Sequence, residues 1–274
     1  MSAREHRTPR PGRGLDDAQV QALADELAEA TRTGGAIPLI SARHPEMTVE
    51  DSYAVQRLWR RRREQAGGRV VGHKIGLTSR AMQEATGIDE PDYGVIFDDQ
   101  VRRSGAVLPH DRWSNVRIEV ELAFVLRERI QGPGVSVEQV LAATDHVVPA
   151  LEILDSHIAL EGRTIVDTIS DNAALGAMVL GDVQLDPHAR DLSWIGALCR
   201  VNGEIVESGV SGAVLGSPAL SVAWLADRLA LHGEALKAGE NVLAGSFTLP
   251  VWVHPGDRVS VQFQDLGTVE VDFR

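Results

Sequence analysis

IEVELAFVL, residues 118–126, alternates apolar and acidic residues in the manner of a β-strand. Successive strand side chains point to opposite faces, so Ile118, Val120, Leu122 and Phe124 share one side, and Glu119 and Glu121 share the other with Ala123 and Val125. The acidic side turns apolar immediately beyond Glu121. Like charges so placed repel, and partial burial adds to the cost, so at least one carboxyl should hold its proton more tightly than usual. A bound cation would relieve both penalties. A third acid, Glu152, interrupts the apolar run from Val147 to Leu154, where a glutamate is rare unless paired or bound to metal. Three oxygen ligands without a nearby cysteine suit magnesium or manganese. Taken alone, the Glu-x-Glu strand also suits a solvated face. With Glu152 added, the metal site and the solvated face both stay open.

Upstream of this stretch the pattern is helical. Val20, Leu23, Leu27 and Ala30 recur at helical spacing and predict an amphipathic helix over residues 15–31, with Asp16 and Asp17 at its start and Gly34 and Gly35 stopping it. Thr48 with Asp51 forms a capping-box variant that opens a second helix, whose apolar stripe is Tyr53, Val55, Leu58 and Trp59. The basic run Arg60–Arg63 reads as a solvated helix end. From Arg69 onward short strands, Gly-rich turns and isolated helices take over. Strands are expected at 70–76, 118–126, 147–154, 242–243, 251–253, 259–263 and 269–273, with helices at 79–85 and 217–231. Without regular βαβ alternation the fold class is α+β with a strongly mixed sheet. Residues 1–14 read as a solvated, disordered tail, 15–68 as an N-terminal helical region and 69–274 as the catalytic mixed-sheet domain.

Other candidates are individually weaker. Lys74, inside an apolar strand, would have the lowered pKa of a buried lysine and serve as acid or base, although a structural salt bridge explains it equally well. Asp92 in DEPDYG (89–94) is aimed by a turn, where aspartates also serve as local acceptors. DTISDNAA (167–174) contains Ser170 and Asp171, with helix capping as the plain alternative. AGSFTLP (244–250) offers Ser246 and Thr248, or ordinary strand hydroxyls. No HExxH, GxGxxG or P-loop pattern is present, so a histidine metal site and nucleotide binding have no support.

The net charge of -12 argues against nucleic acid or an anionic membrane as the main partner, since either needs a basic face. Cys199 is the only cysteine, which excludes an intrachain disulfide and fits a reducing cytoplasm. No apolar run approaches the roughly 20 residues that span a bilayer.

The stretches GHKIGLTSRAMQ, DEPDYG, RIEVELAFVL, ATDHVVPALEILDS, DTISDNAA and GSFT-P with a following GD, in that order, resemble the hydratase and decarboxylase branch of the fumarylacetoacetate hydrolase superfamily. The resemblance runs from about Ile37 to the C-terminus. It implies a mixed β-roll core, a magnesium or manganese ion held by Glu119, Glu121 and Glu152, acid–base chemistry by Lys74 and Asp92, and a homo-oligomer. It further implies that Leu77, Thr78, Ser79, Ser170, Asp171, Ser246 and Thr248 surround a small 2-oxo acid substrate. The activity so implied is hydration of a 2-oxo-alkenoate in aromatic-compound catabolism, possible in complex with a pathway decarboxylase. Two positions depart from the branch: His157 and Leu249 stand where arginines are usual, which favours a monocarboxylate or an unusual distal group. Gln264-Asp265 also replaces a usual Tyr-Gly.

Three rival readings remain. One is decarboxylation of a 2-oxo-3-enedioate on the same scaffold. Another is C–C hydrolysis of an acylpyruvate, which His44 and Glu46 keep open. The third is a catalytically silent partner subunit.

Overall fold

A computed structural model describes residues 14–274, so the expected tail, apart from Gly14, lies outside the described residues. The elements run α1 (Asp17–Thr33), α2 (Ile40–Arg43), α3 (Val49–Gln65), β1 (Val70–Gly76), α4 (Arg80–Thr86), β2 (Asp92–Phe97), β3 (Val101–Arg103), β4 (Ala106–Leu108) and β5 (Arg117–Leu126). They continue with α5 (Val137–Ala143), β6 (Thr144–Leu154), α6 (Ile165–Ser170), β7 (Leu175–Leu180), β8 (Gly196–Val201), β9 (Glu204–Val210) and α7 (Pro218–Ala230). The chain closes with β10 (Asn241–Leu243), β11 (Val251–Trp252), β12 (Arg258–Phe263) and β13 (Gly267–Phe273).

Local chemistry accounts for the helix ends. The first helix starts and stops two residues later than its apolar spacing predicts, because Asp16 is taken up as the cap. Its carboxylate accepts from the Gln19 amide while the Gln19 side chain accepts from the Asp16 amide, and Gly34 ends the helix in the left-handed region. Thr48 and Asp51 make the same reciprocal pair at the start of α3. Leu15, Val20, Leu23 and Leu27 of the first helical segment pack with Ile40, Val55, Ile158 and Val166, so the helices sit on the body through a core of their own.

The body is α+β and consists of two sheets. One has eight strands in the order β2-β1-β10-β5-β6-β7-β3, with β11 pairing on β5; the other has the order β4-β13-β12-β8-β9. The pairs β1–β10, β3–β7 and β4–β13 are parallel and the rest antiparallel, the mixture the sequence predicts. Strands β5 and β6 are the spine. Their register runs unbroken from Arg117↔Leu154 through Glu119↔Glu152 to Val125↔His146.

The two faces of that spine go to different places. Ile118, Val120, Leu122, Phe124, Leu151 and Ile153 join the main core with Val259, Val261 and Phe263 of the second sheet and Val222, Leu225 and Leu229 of α7. Each such side chain contributes about 1.5–3 kcal/mol when fully buried. The opposite face carries the smaller cluster of Ala123, Val148, Ala150, Met178, Leu180 and Leu243, and beside it the glutamates.

Candidate metal centre and active site

Glu119, Glu121 and Glu152 each offer an oxygen within 4.8 Å of the others, and all three are buried. The cause is register. Glu119 and Glu121 alternate onto one face of β5, and Glu152 lies directly across from Glu119 on β6. Opposed residues on neighbouring strands stand about 5 Å apart, so three carboxylates from two strands converge without a loop.

Lys74 reaches the triad from β1, its Nζ 3.0 Å from Glu152 Oε1 in an ion contact and donating a 2.8 Å hydrogen bond to the Ala173 carbonyl. That carbonyl belongs to Asn172–Ala174, a run of non-glycine residues with positive φ. Such backbone is costly and persists only where its surroundings enforce it. Here Asn172 is tied to both backbone atoms of Val95, accepting from its amide at 2.8 Å and donating to its carbonyl at 2.9 Å. Asp92 lies opposite Gly76 across the β1–β2 pair. A Cβ on Gly76 would stand 2.3 Å from Asp92 Oδ1 and 3.1 Å from Lys74 Nζ, so the missing side chain is what admits both groups.

The electrostatics are those of a site short of positive charge. Burial, then the charge of Glu152, pushes Glu119 up to about 7 against the pull of Lys74 and Arg117. Glu121 is raised well above the carboxylate range by burial, then by Glu152 and Glu119. Burial also raises Glu152, with Lys74 opposing it. For Lys74 the expected lowering is corrected. Burial acts in that direction, but Glu152, Asp92, Glu119 and Glu121 outweigh it and hold the ammonium above its ordinary value. The solvated-face alternative for these acids is likewise overturned by their burial.

The donor set fits a hard divalent ion. Glu121 Oε1, both Glu152 oxygens and Asp92 Oδ1 are buried without a hydrogen-bond partner among the described residues. Buried acceptors are otherwise almost always satisfied. Glu121 Oε2 is fixed by the Gly245 amide at 2.7 Å, which orients the carboxylate.

The remaining predicted residues divide. Thr78 Oγ1 is buried and unpartnered, pressed against Gly245, where a Cβ would lie 2.1 Å from it. Leu77 carries a positive φ of 57° at the end of β1 and gives its carbonyl to Gln83. Other hydroxyls are spent locally: Ser79 caps α4, Ser170 donates to Val166 O, and Ser246 donates to Thr248 O while accepting from the Thr248 amide. Asp171 accepts from the amide and Nδ1 of His157 and from Ser156 Oγ. Asp171 and Asp155 together raise His157 above its ordinary value against burial. Leu249, by contrast, is exposed. His44 and Glu46 are 3.6 Å apart on the segment before α3, with Glu46 exposed. Sequence reasoning passed over Arg117, although counting back one more step of the same alternation finds it: it shares the face of Glu119 and Glu121 and is buried.

Residues 71–274 match the family model described as fumarylacetoacetate (FAA) hydrolase C-terminal. The chain belongs to the fumarylacetoacetate hydrolase family. Within that family it is 44% identical over 257 residues to the 2-oxo-hept-4-ene-1,7-dioate hydratase of Escherichia coli, covering 92% of this chain and 96% of the relative. It is 38% identical to the 2-keto-4-pentenoate hydratase of Paraburkholderia xenovorans (strain LB400), covering 93% and 95%. Among solved structures of the family, 4-oxalocrotonate decarboxylase from Pseudomonas putida G7, complexed with magnesium and adipate, superimposes with a TM-score of 0.92. That match is at 36% identity over 96% of this chain and 100% of the other. The two-sheet body is thus the family's fold, with helices placed N-terminally.

Proposed function

We propose that this protein is a divalent-metal-dependent hydratase that adds water to a 2-oxo-alkenoate, or its 2-hydroxydienoate tautomer, to give a 4-hydroxy-2-oxo acid in aromatic-compound catabolism. The observation that carries the reading is the buried, under-satisfied triad of Glu119, Glu121 and Glu152 with Lys74 upon it.

The three glutamates would hold magnesium or manganese. When bound, such an ion supplies Lewis-acid stabilisation for negative charge developing on a 2-oxo oxygen. Lys74 and Asp92, the two groups that crowd Gly76, carry the protons. Lys74 Nζ gives or takes the proton at the enol oxygen, and Asp92 Oδ1 serves the carbon chain, so that dienol becomes conjugated ketone and water can add to the distal double bond. Thr78 offers its free hydroxyl to the substrate. Leu77, Ser79, Ser170, Asp171, Ser246 and Thr248 shape the surrounding wall, most of them through backbone their side chains hold in place. The protein works as a homo-oligomer in the cytoplasm, in complex with a pathway decarboxylase, and divides at residue 68 into a helical region and a catalytic domain. Among the described residues no helix is long and apolar enough to cross a membrane.

A second reading is favoured by the likeness to a decarboxylase: expulsion of carbon dioxide from a 2-oxo-3-enedioate through the same stabilised enolate. Metal analysis of the purified protein, followed by the ultraviolet decay of a 2-hydroxydienoate, tests the proposal. Stoichiometric metal and decay abolished by a chelator are expected. A protein that binds no divalent ion, or turns over fully after chelation, discards the scheme, and carbon dioxide release from an enedioate selects the second reading.

A further inference from the structure

Arg117 is a buried cation that the chemistry above does not use. It is 5% exposed, and it forms no ion pair among the described residues. Among the described residues its hydrogen bonds go only to Asn115, from Nε to the backbone carbonyl at 3.3 Å and from Nη2 to Oδ1 at 3.1 Å. A guanidinium has five donors, so Nη1 and the outer edge of Nη2 are left to offer. An isolated buried charge is strongly disfavoured, and an arginine fork matches a carboxylate in geometry and charge.

Its position says which carboxylate. Arg117 precedes Glu119 on the same face of β5, a displacement of about 7 Å along the strand. That step separates the triad, where the 2-oxo acid end of a substrate belongs, from a point an extended diacid reaches with its other end. Trp252, paired with Arg117 across β5–β11, lays its ring 5.4 Å from the guanidinium carbon and is itself 52% exposed, so it braces the plane of the fork at the outer side.

We infer that Arg117, braced by Trp252, is the specificity-determining residue that receives the distal carboxylate of a dicarboxylic 2-oxo acid. This rests on the hydratase reading for the placement of the 2-oxo end. It also answers the substitutions at His157 and Leu249. Leu249 is exposed and His157 is occupied with Asp155 and Asp171, so the guanidinium that a diacid requires comes from β5 instead.

The test uses saturated analogues that cannot be hydrated. Binding of 2-oxoheptanedioate and of 2-oxoheptanoate to the magnesium-loaded full chain is measured by calorimetry for the wild type, Arg117→Met and Arg117→Lys. The wild type should prefer the diacid by about 10- to 100-fold, the range for hydrogen bonds to a charged group. Arg117→Met should collapse the preference to within about 3-fold, and Arg117→Lys, which keeps the charge but loses the fork, should retain an intermediate preference. Equal weakening of both analogues, or a wild type that does not discriminate, overturns the inference. If Arg117→Met does not fold, the wild-type ratio and its partial loss in Arg117→Lys decide. Because neither analogue reacts, a protein that discriminates between them yet hydrates no dienoate would refute the hydratase reading and leave Arg117 in place.

Discussion

Strands β5 and β12 carry the same kind of text and meet opposite fates. In β12, Val259, Val261 and Phe263 point into the core while Arg258 and Gln262 remain exposed, the ordinary outcome of alternation on a sheet with one wet face. In β5, Ile118, Val120, Leu122 and Phe124 point into that same core, yet Arg117, Glu119 and Glu121 are buried too. The difference lies in neighbours. Beyond the polar side of β5 lie Lys74 from β1, Glu152 from β6 and the Ala173 carbonyl, so water is replaced by protein groups too few to satisfy the acids. Alternation alone fixes which residues share a face, whereas the elements stacked outside it fix whether that face is a surface or a site.

Breaking the polar side of β5 should have the largest effect. Glu121→Gln keeps an acceptor for the Gly245 amide but removes a charge. It should lower turnover by about 10²-fold or more, the scale for losing one group that stabilises developing charge. The same change should stabilise the metal-free protein at pH 8, since it removes a buried, poorly compensated carboxylate. Metal analysis and denaturant unfolding on one preparation read both, and an unchanged metal content would erase the contrast with β12.

The next effect separates charge from packing. Glu119 binds its proton more tightly folded than unfolded, so the metal-free protein carries the extra proton between its ordinary value of 4.5 and about 7. Stability should therefore be greatest below that window and fall as pH rises through it, with a slope of up to about 1.4 kcal/mol per pH unit per proton. Saturating magnesium or Glu119→Gln should flatten the slope. A metal-free protein whose unfolding midpoint rises with pH across the window would contradict the sign.

On the apolar side, Val261→Ala should cost about 2 kcal/mol, the lost methyl groups plus a residual cavity. Metal affinity should stay as in the wild type, which calorimetry checks. Smallest of all, Gln262→Ala on the wet face of β12 should stay within about 0.5 kcal/mol. A loss as large as that of Val261→Ala would mean that this face is covered.

Much of this contrast was legible in the sequence. The strands at β1, β5, β6, β12 and β13 and the cap at Thr48 follow from periodicity and side-chain chemistry, whereas alternation plus a glutamate in an apolar run singled out Glu119, Glu121 and Glu152 but left a shared site and a solvated face both open until the family resemblance was added. What was not legible depends on partners distant in the chain. The raised Lys74 needs four acids from three strands, the positive-φ run at Asn172–Ala174 needs the Val95 backbone to hold it, and the isolation of Arg117 is a matter of which carboxylates stay away. The strands β2, β3, β4, β7, β8 and β9 also escaped notice, and in β8 and β9 the glycines Gly196 and Gly209 dilute the pattern.

Glu119 and Glu152 face each other in one alignment of β5 and β6. Sliding β6 by a single position would bring Leu151 or Ile153 opposite Glu119 and turn Glu152 toward the apolar interior. A chain assembled in that way has no triad to offer. The alignment that seats Ile118, Val120 and Leu151 in the core is therefore the same one that assembles the triad, so strand packing and site formation are a single event.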